Sequence, residues 1–304
     1  MTMSSLKTFV NDGAGGASLF EENITGGAIS TQRVGSNNSA TGSYGSTVSG
    51  GQNNTASGGN STVGGGGYNT SSNNGSTIGG GGQNNATGSI STIGGGQDNT
   101  ASGGNSTVGG GSRNNATGNN STISGGKVNA ASNSYSTVGG GQTNVSSGYT
   151  STVGGGKDNT ASGYNSTVAG GGNNTASNTN STVSGGFSNF ASSNYTTVSG
   201  GVNNTSSGNY STISGGKENN TSNTFSTIGG GRNNRASGRY SSILGGRYNN
   251  TSTFDNSHII GSNIISDRAD TTFVESLSIK SVPTASAGLP SGSVWSNAGV
   301  LNIV

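Results

Sequence analysis

The sequence predicts an all-β repeat protein, a parallel β-roll or solenoid of fourteen fifteen-residue coils, and three observations carry that prediction. The triplet Ser46-Thr47-Val48 recurs as Ser61-Thr62-Val63, Ser76-Thr77-Ile78 and Ser91-Thr92-Ile93, and keeps step as far as Ser241-Ser242-Ile243. Glycine fills 61 of 304 positions and stands as an adjacent pair in every copy, which rules out a helical repeat. Apolar residues make up 25% of the chain, about half the usual share, so one large central core cannot form. Low hydrophobicity alone would suggest disorder. Strict periodicity moves the reading to a repeat architecture instead.

The columns of the repeat differ sharply in what they tolerate. The Val48 column, continued by Val63 and Ile78, admits only Val or Ile. The Gly50 column, continued by Gly65 and Gly80, and the Gly51 column are glycine in every copy. The Asn54 column, continued by Asn69 and Asn84, is always asparagine, and the Ala56 and Ser57 columns stay small. Gly58 and its equivalents are mostly Gly or Asn, the residues expected at a left-handed turn position.

β-branched residues beside glycine turns predict two short strands per coil, near Ser46 to Val48 and Asn54 to Ser57. Side chains alternate along a strand, so Ser46 and Val48 share the inner face and Thr47 points out. The Val/Ile column then faces the Ala/Ser column across a thin core. The Asn54 column is expected to stack its amides between coils as a hydrogen-bonded ladder. At roughly 4.8 Å per coil, fourteen coils make a rod about 65–70 Å long. One buried aliphatic per coil contributes only about 2 kcal/mol, a small return for ordering a whole coil. Packing against further copies is therefore expected, with a homotrimer as the expected state.

The hexapeptides Ser61-Thr62-Val63-Gly64-Gly65-Gly66 and Asn53-Asn54-Thr55-Ala56-Ser57-Gly58 resemble the head repeats of YadA-type trimeric autotransporter adhesins. The resemblance covers about 46–262, including the closing Ile259-Ile260-Gly261-Ser262-Asn263. It implies a left-handed parallel β-roll, three chains side by side, and a role in adhesion. The chain shows no secretory signal over Met1 to Phe20, no heptad-patterned stalk and no membrane β-barrel. Its tail, Arg268 to Val274 and Gly288-Leu289-Pro290-Ser291-Gly292-Ser293-Val294-Trp295 to Val304, resembles the ends of bacteriophage and large-virus fibre proteins. Such proteins fold in the host cytoplasm and reach the outside on a virion, which implies a virion-surface location.

Residues 1–45 carry more apolar bulk than any repeat, with Leu6, Phe9, Val10, Leu19, Phe20 and Ile24. They read equally as a cap over the open end of the roll or as a docking segment. Asn37 to Gly42 resembles a repeat displaced by one residue, so the roll is expected to begin near 35, with 46–262 as its regular part. Residues 263–304 form a C-terminal β-rich unit for capping, trimerisation or docking. There Phe273, Leu277 and Ile279 share a strand face, and Val294-Trp295 and Val300 to Val304 form a hairpin after the Gly288–Gly292 turn.

Catalysis has little support in the residues. His258 is the only histidine, the ten acids are scattered, and no Gly-x-Ser-x-Gly elbow has partners nearby. The chain is therefore expected to be no enzyme and to need no cofactor or metal. A net charge of +2 argues against nucleic-acid binding, and the want of a long apolar stretch against membrane insertion. The variable columns are where binding would lie. Tyr195, Tyr210, Phe225 and Tyr240 share one column and are expected to stack, and Arg232, Arg235, Arg239 and Arg247 concentrate charge nearby. Both sets are candidates for a trimer contact or for a receptor contact with a host surface glycan or protein. The expected function is a virion fibre, joined to a virion attachment protein, that binds the host. The alternatives are an ice-binding solenoid using the Thr47 to Thr227 column, or the passenger of a cellular adhesin.

Overall fold

The computed structural model describes residues 20–25, 28–33, 35–278, 282–297 and 300–303. Among these, every regular element is a β-strand, and the chain winds as a parallel β-solenoid of about 16 turns. Each coil contributes two two-residue strands, such as Thr77–Ile78 and Asn85–Ala86. The first kind of strand builds an 18-stranded sheet and the second a 14-stranded sheet. Register between coils is 15 residues, as in Thr77↔Thr92 with Ile78↔Ile93 and in Asn85↔Thr100 with Ala86↔Ala101. A third ladder of single bridges climbs the first turn, from Gln52↔Gly67 to Arg232↔Arg247.

The core has the composition that the columns predict. Val48, Val63, Ile78 and their successors are completely buried, and so are Ala56, Ala86 and Ala101 opposite them. Ser46 and its equivalents share that inner face, and Ser61 Oγ donates back to the Gly58 carbonyl at 2.8 Å, closing the second turn. Where serine replaces alanine in the second sheet, it finds a partner across the core. Ser71, Ser146 and Ser206 lie 2.7 Å from Ser76, Ser151 and Ser211. These hydroxyls are thereby satisfied, whereas Ser106, Ser121 and Ser166 Oγ in the Ser46 column are buried without a hydrogen-bond partner.

One turn assignment differs from the sequence reading. The Gly58 column does not hold the left-handed position. Gly58 is buried, and a Cβ there would meet the Asn73 carbonyl oxygen of the next coil at 2.1 Å. Glycine members such as Gly58 leave no room for a Cβ, whereas Asn73 in the same column is exposed, and neither has the left-handed φ. The left-handed residues are instead those of the Asn53 and Asn60 columns, with φ of 54° and 56° at their first members, together with Gly51 at 88°.

The ladder also runs beyond the fifteen-residue register at both ends. Ala28–Arg33 pairs in parallel with Thr47–Val48, and antiparallel with Phe20–Thr25 on its other side. Ser39↔Thr55 fixes a sixteen-residue first coil. At the far end Ser257–Ile260 follows with a sixteen-residue step, and Thr271–Val274 with a fourteen-residue step. The strand bearing Phe273 thus belongs to the main sheet. Leu277 lies past its end and is exposed, and Ile279 is outside the described residues. Val294–Asn297 and Val300–Ile303 form an antiparallel hairpin, preceded by turns at Gly288 and Gly292.

Candidate functional site

Because the two strands of a coil face each other, the two turns lie at opposite edges of the solenoid. The first turn contains the Gly50 to Asn53 columns, and the second the Gly58 to Asn60 columns. This geometry sorts the candidate residues.

The Asn54 column forms the inner seam of the first turn. Asn144 is typical: its Nδ2 donates to the Gly140 carbonyl of its own coil and to the Gly156 carbonyl of the next, each at 2.8 Å. Its Oδ1 accepts the main-chain N–H of Asn159 at 3.0 Å. Each amide therefore binds the main chain of the next coil rather than the next amide, which corrects the expected amide-on-amide stack. Asn204 Nδ2 to Asn189 Oδ1, at 3.1 Å, is an exception. Every donor and acceptor of a buried amide is used, and that is why no other residue fits. Asn38 opens the seam and Ile264 takes the acceptor's partner seat at its end, 3.1 Å from Asn249 Oδ1.

At the second turn, Tyr195, Tyr210, Phe225 and Tyr240 stack with centroids 4.8, 5.0 and 5.0 Å apart and planes within 14° of parallel. All four have φ between 54° and 57°, a region that bulky residues rarely enter. Face-to-face contact along the stack offsets that strain. The guanidinium of Arg239 lies 4.8 Å over the Tyr240 ring and donates to its hydroxyl at 3.1 Å, covering the terminal face. The same edge carries Tyr135, Tyr149 and Tyr164, where Tyr149 and Tyr164 stack at 5.4 Å. Sequence reasoning missed this second group; the fifteen-residue separation of Tyr149 and Tyr164 was the available signal.

The four arginines do not form one cluster. Arg232 and Arg247 are successive rungs at the first turn, above Lys217. Arg235 projects from the outer face of the second sheet, its Nε 2.9 Å from Ser237 Oγ. Arg239 belongs to the aromatic edge. Glu218 lies 3.4 Å from Lys217 and 3.5 Å from Arg232. Desolvation pushes its carboxyl up, but these two cations outweigh that and hold it below the ordinary range. Among the described residues, no carboxylate lies within ion-pair distance of Arg235, Arg239 or Arg247.

On the outer face of the first sheet, Thr47 to Thr227 form thirteen threonines in register, most of them half-buried. His258 takes the next place but one, with Nδ1 2.7 Å from Ser242 Oγ. Beside that row, Leu244, one residue past the strand Ser242–Ile243, and Ile260 and Val274 on the two strands that follow have 69%, 45% and 38% exposure. Among the described residues, no group of three or more His, Cys, Asp or Glu could hold a metal ion. No described helix is long and apolar enough to cross a membrane.

These features define a repeat β-solenoid whose inward columns and outer threonine row are nearly constant and whose variable residues lie mainly at the two turns. No protein-family model matches the chain, and no curated protein matches its sequence.

Proposed function

We propose that the chain is the shaft of a non-catalytic attachment fibre on a virion surface, built as a left-handed homotrimer. One observation carries the attachment reading. The inward columns stay small or aliphatic from end to end and the outer threonine row is nearly constant, whereas the turn columns change character in the coils from Tyr195 to Arg247, where aromatic and basic side chains gather. A rod that varies only on its surface, and mainly toward one end, suits presentation of a contact at a distance.

The thin core and the exposed Leu244, Ile260 and Val274 column support the trimer. Three copies meeting along the outer face of the first sheet would bury that aliphatic column against itself and enclose the threonine row. The hairpin of 294–303 then serves as a trimerising or docking end for a virion attachment protein. Sedimentation and native mass spectrometry test this directly. A mass of three chains with an elongated frictional shape is the expected result. A stable monomer sinks the trimer and leaves the threonine row in water.

That row is the observation that favours a second reading, an ice-binding solenoid, since thirteen hydroxyls in register form a flat periodic surface. Thermal hysteresis and ice shaping by the purified chain would establish it. The passenger of a cellular adhesin, anchored to an outer membrane, remains the third arrangement in which the same roll would serve adhesion.

A further inference from the structure

We propose that the coils from Lys217 to Arg247 bind an acidic polysaccharide, one bearing sulfate or carboxylate groups, through a band of guanidinium groups that crosses the second sheet. The proposal rests on the attachment reading and names the class of its receptor.

Within a single coil, Arg232 stands at the first turn, Arg235 on the sheet face and Arg239 at the second turn, and all three are exposed. Arg247 extends the band by one rung. Spacings of three and four residues place the main-chain anchors of successive arginines roughly 10–13 Å apart along the coil. That interval suits a polymer charged once per disaccharide better than a compact ion. From Lys217 to Asp255 the chain carries five bases (Lys217, Arg232, Arg235, Arg239, Arg247) and two acids, Glu218 and Asp255, the latter accepting the Arg239 main-chain N–H at 2.8 Å, so the excess is 5 − 2 = +3. The net charge of the whole chain is only +2. Positive potential is therefore concentrated here and not spread along the rod.

Two of the groups are already held in place, Arg235 by Ser237 Oγ and Arg239 by the Tyr240 ring and hydroxyl. Each retains N–H donors for a bidentate anion contact, with less side-chain freedom left to lose. Most rings of the stack are closed to a nucleic base. Tyr195 keeps one face free of other rings and Tyr248, beside Arg247, is 51% exposed, so the DNA arm of the test decides between polyanions. Base stacking of a single-stranded nucleic acid requires an open ring face. Tyr210 and Phe225 have both faces covered by neighbouring rings, and Tyr240 has one covered by Phe225 and the other by Arg239. A glycan held by its anionic groups needs no ring face.

Fluorescence anisotropy on the full chain tests the proposal, using labelled heparin-derived oligosaccharides, neutral dextran oligosaccharides, a single-stranded DNA of equal charge, and poly-glutamate. The sulfated oligosaccharide is expected to bind with an affinity that falls as salt rises, while neutral dextran does not bind. Combining Arg235→Ser with Arg239→Ser is expected to weaken binding about tenfold or more. The remote pair Lys127→Ser and Lys157→Ser should leave it unchanged. Circular dichroism melting of both variants confirms that the fold is retained. Absence of binding at low salt, equal losses in both variants, or DNA or poly-glutamate binding as tightly as the glycan would overturn the proposal. Adhesion to host cells separates the two levels. Cell binding that persists in the Arg235/Arg239 variant rejects the glycan band but keeps the attachment reading. Glycan binding without cell adhesion does the reverse.

Discussion

The side-chain oxygen of Asn129 accepts the main-chain N–H of Asn144 at 2.9 Å, so that a side chain of one coil completes the backbone of the next. The relation repeats along the first turn and makes asparagine a structural part of the ladder.

Asn144→Ala should therefore strand the buried Asn159 N–H and take the amide donor from the part-buried Gly140 and Gly156 carbonyls, of which Gly156 keeps the Gln142 N–H. A loss of about 3 kcal/mol or more in chemical denaturation is expected. Asn144→Asp should be worse, because it turns a carboxylate oxygen toward two carbonyls. A near-neutral Asn144→Ala would mean that water replaces the amide without cost.

The paired glycines should differ in their tolerance. A Cβ on Gly141, at φ 86°, would meet the Gly156 carbonyl oxygen at 2.1 Å, whereas a Cβ on Gly155 would meet nothing within 4 Å. Gly141→Ala is expected to cost about 3 kcal/mol or more, and Gly155→Ala about 1 kcal/mol or less. Thermal melts of the two variants side by side give the comparison. Equal damage would locate the constraint on Gly155 outside the single chain.

At the aromatic edge, Tyr210→Ala keeps the left-handed strain and loses the stack, while Tyr210→Gly loses both. Glycine should be the more stable variant by about 1 kcal/mol. A double-mutant cycle between Tyr210 and Phe225 should give a coupling of about 0.5–1.5 kcal/mol. No coupling, with alanine as stable as glycine, would show that the stack does not support the turn.

The buried serines of the second sheet should be replaceable. Ser146→Ala removes one member of a hydroxyl pair, but Ser151 Oγ still donates to the Gly148 carbonyl at 2.7 Å. Stability should change by about 1 kcal/mol or less. A larger loss would give the cross-core pair a role of its own.

Much of this architecture is legible in the sequence, because a period of fifteen without a slip places each column in one environment. Val48, Ala56 and Asn54 reveal themselves as inward positions by what their columns refuse. What bonds to what is less legible. The Asn column announces a ladder, yet its partners are the carbonyls of Gly50 and Gly66, and no side-chain pattern records a carbonyl. The sites are harder still. Arg232 and Arg239 are seven residues apart and look like neighbours, but the strand Arg235–Ala236 runs between them and sets them at opposite edges. At the ends, steps of sixteen and fourteen residues hide the strands at Ser257–Ile260 and Thr271–Val274 from a search at fifteen.

The sixteen-residue first coil and the fourteen-residue last step show that the solenoid absorbs a residue gained or lost only at its ends. Inside, every rung presents the same surface to the rung above as to the rung below. Excision of residues 139–153 would join Val138 to Gly154 and leave a closed ladder, shorter by one step of roughly 4.8 Å. Loss or gain of one whole repeat in the coding sequence would make such a change without a frameshift. The molecule's reach is thus a heritable quantity, adjustable in discrete steps while the fold and both ends stay the same.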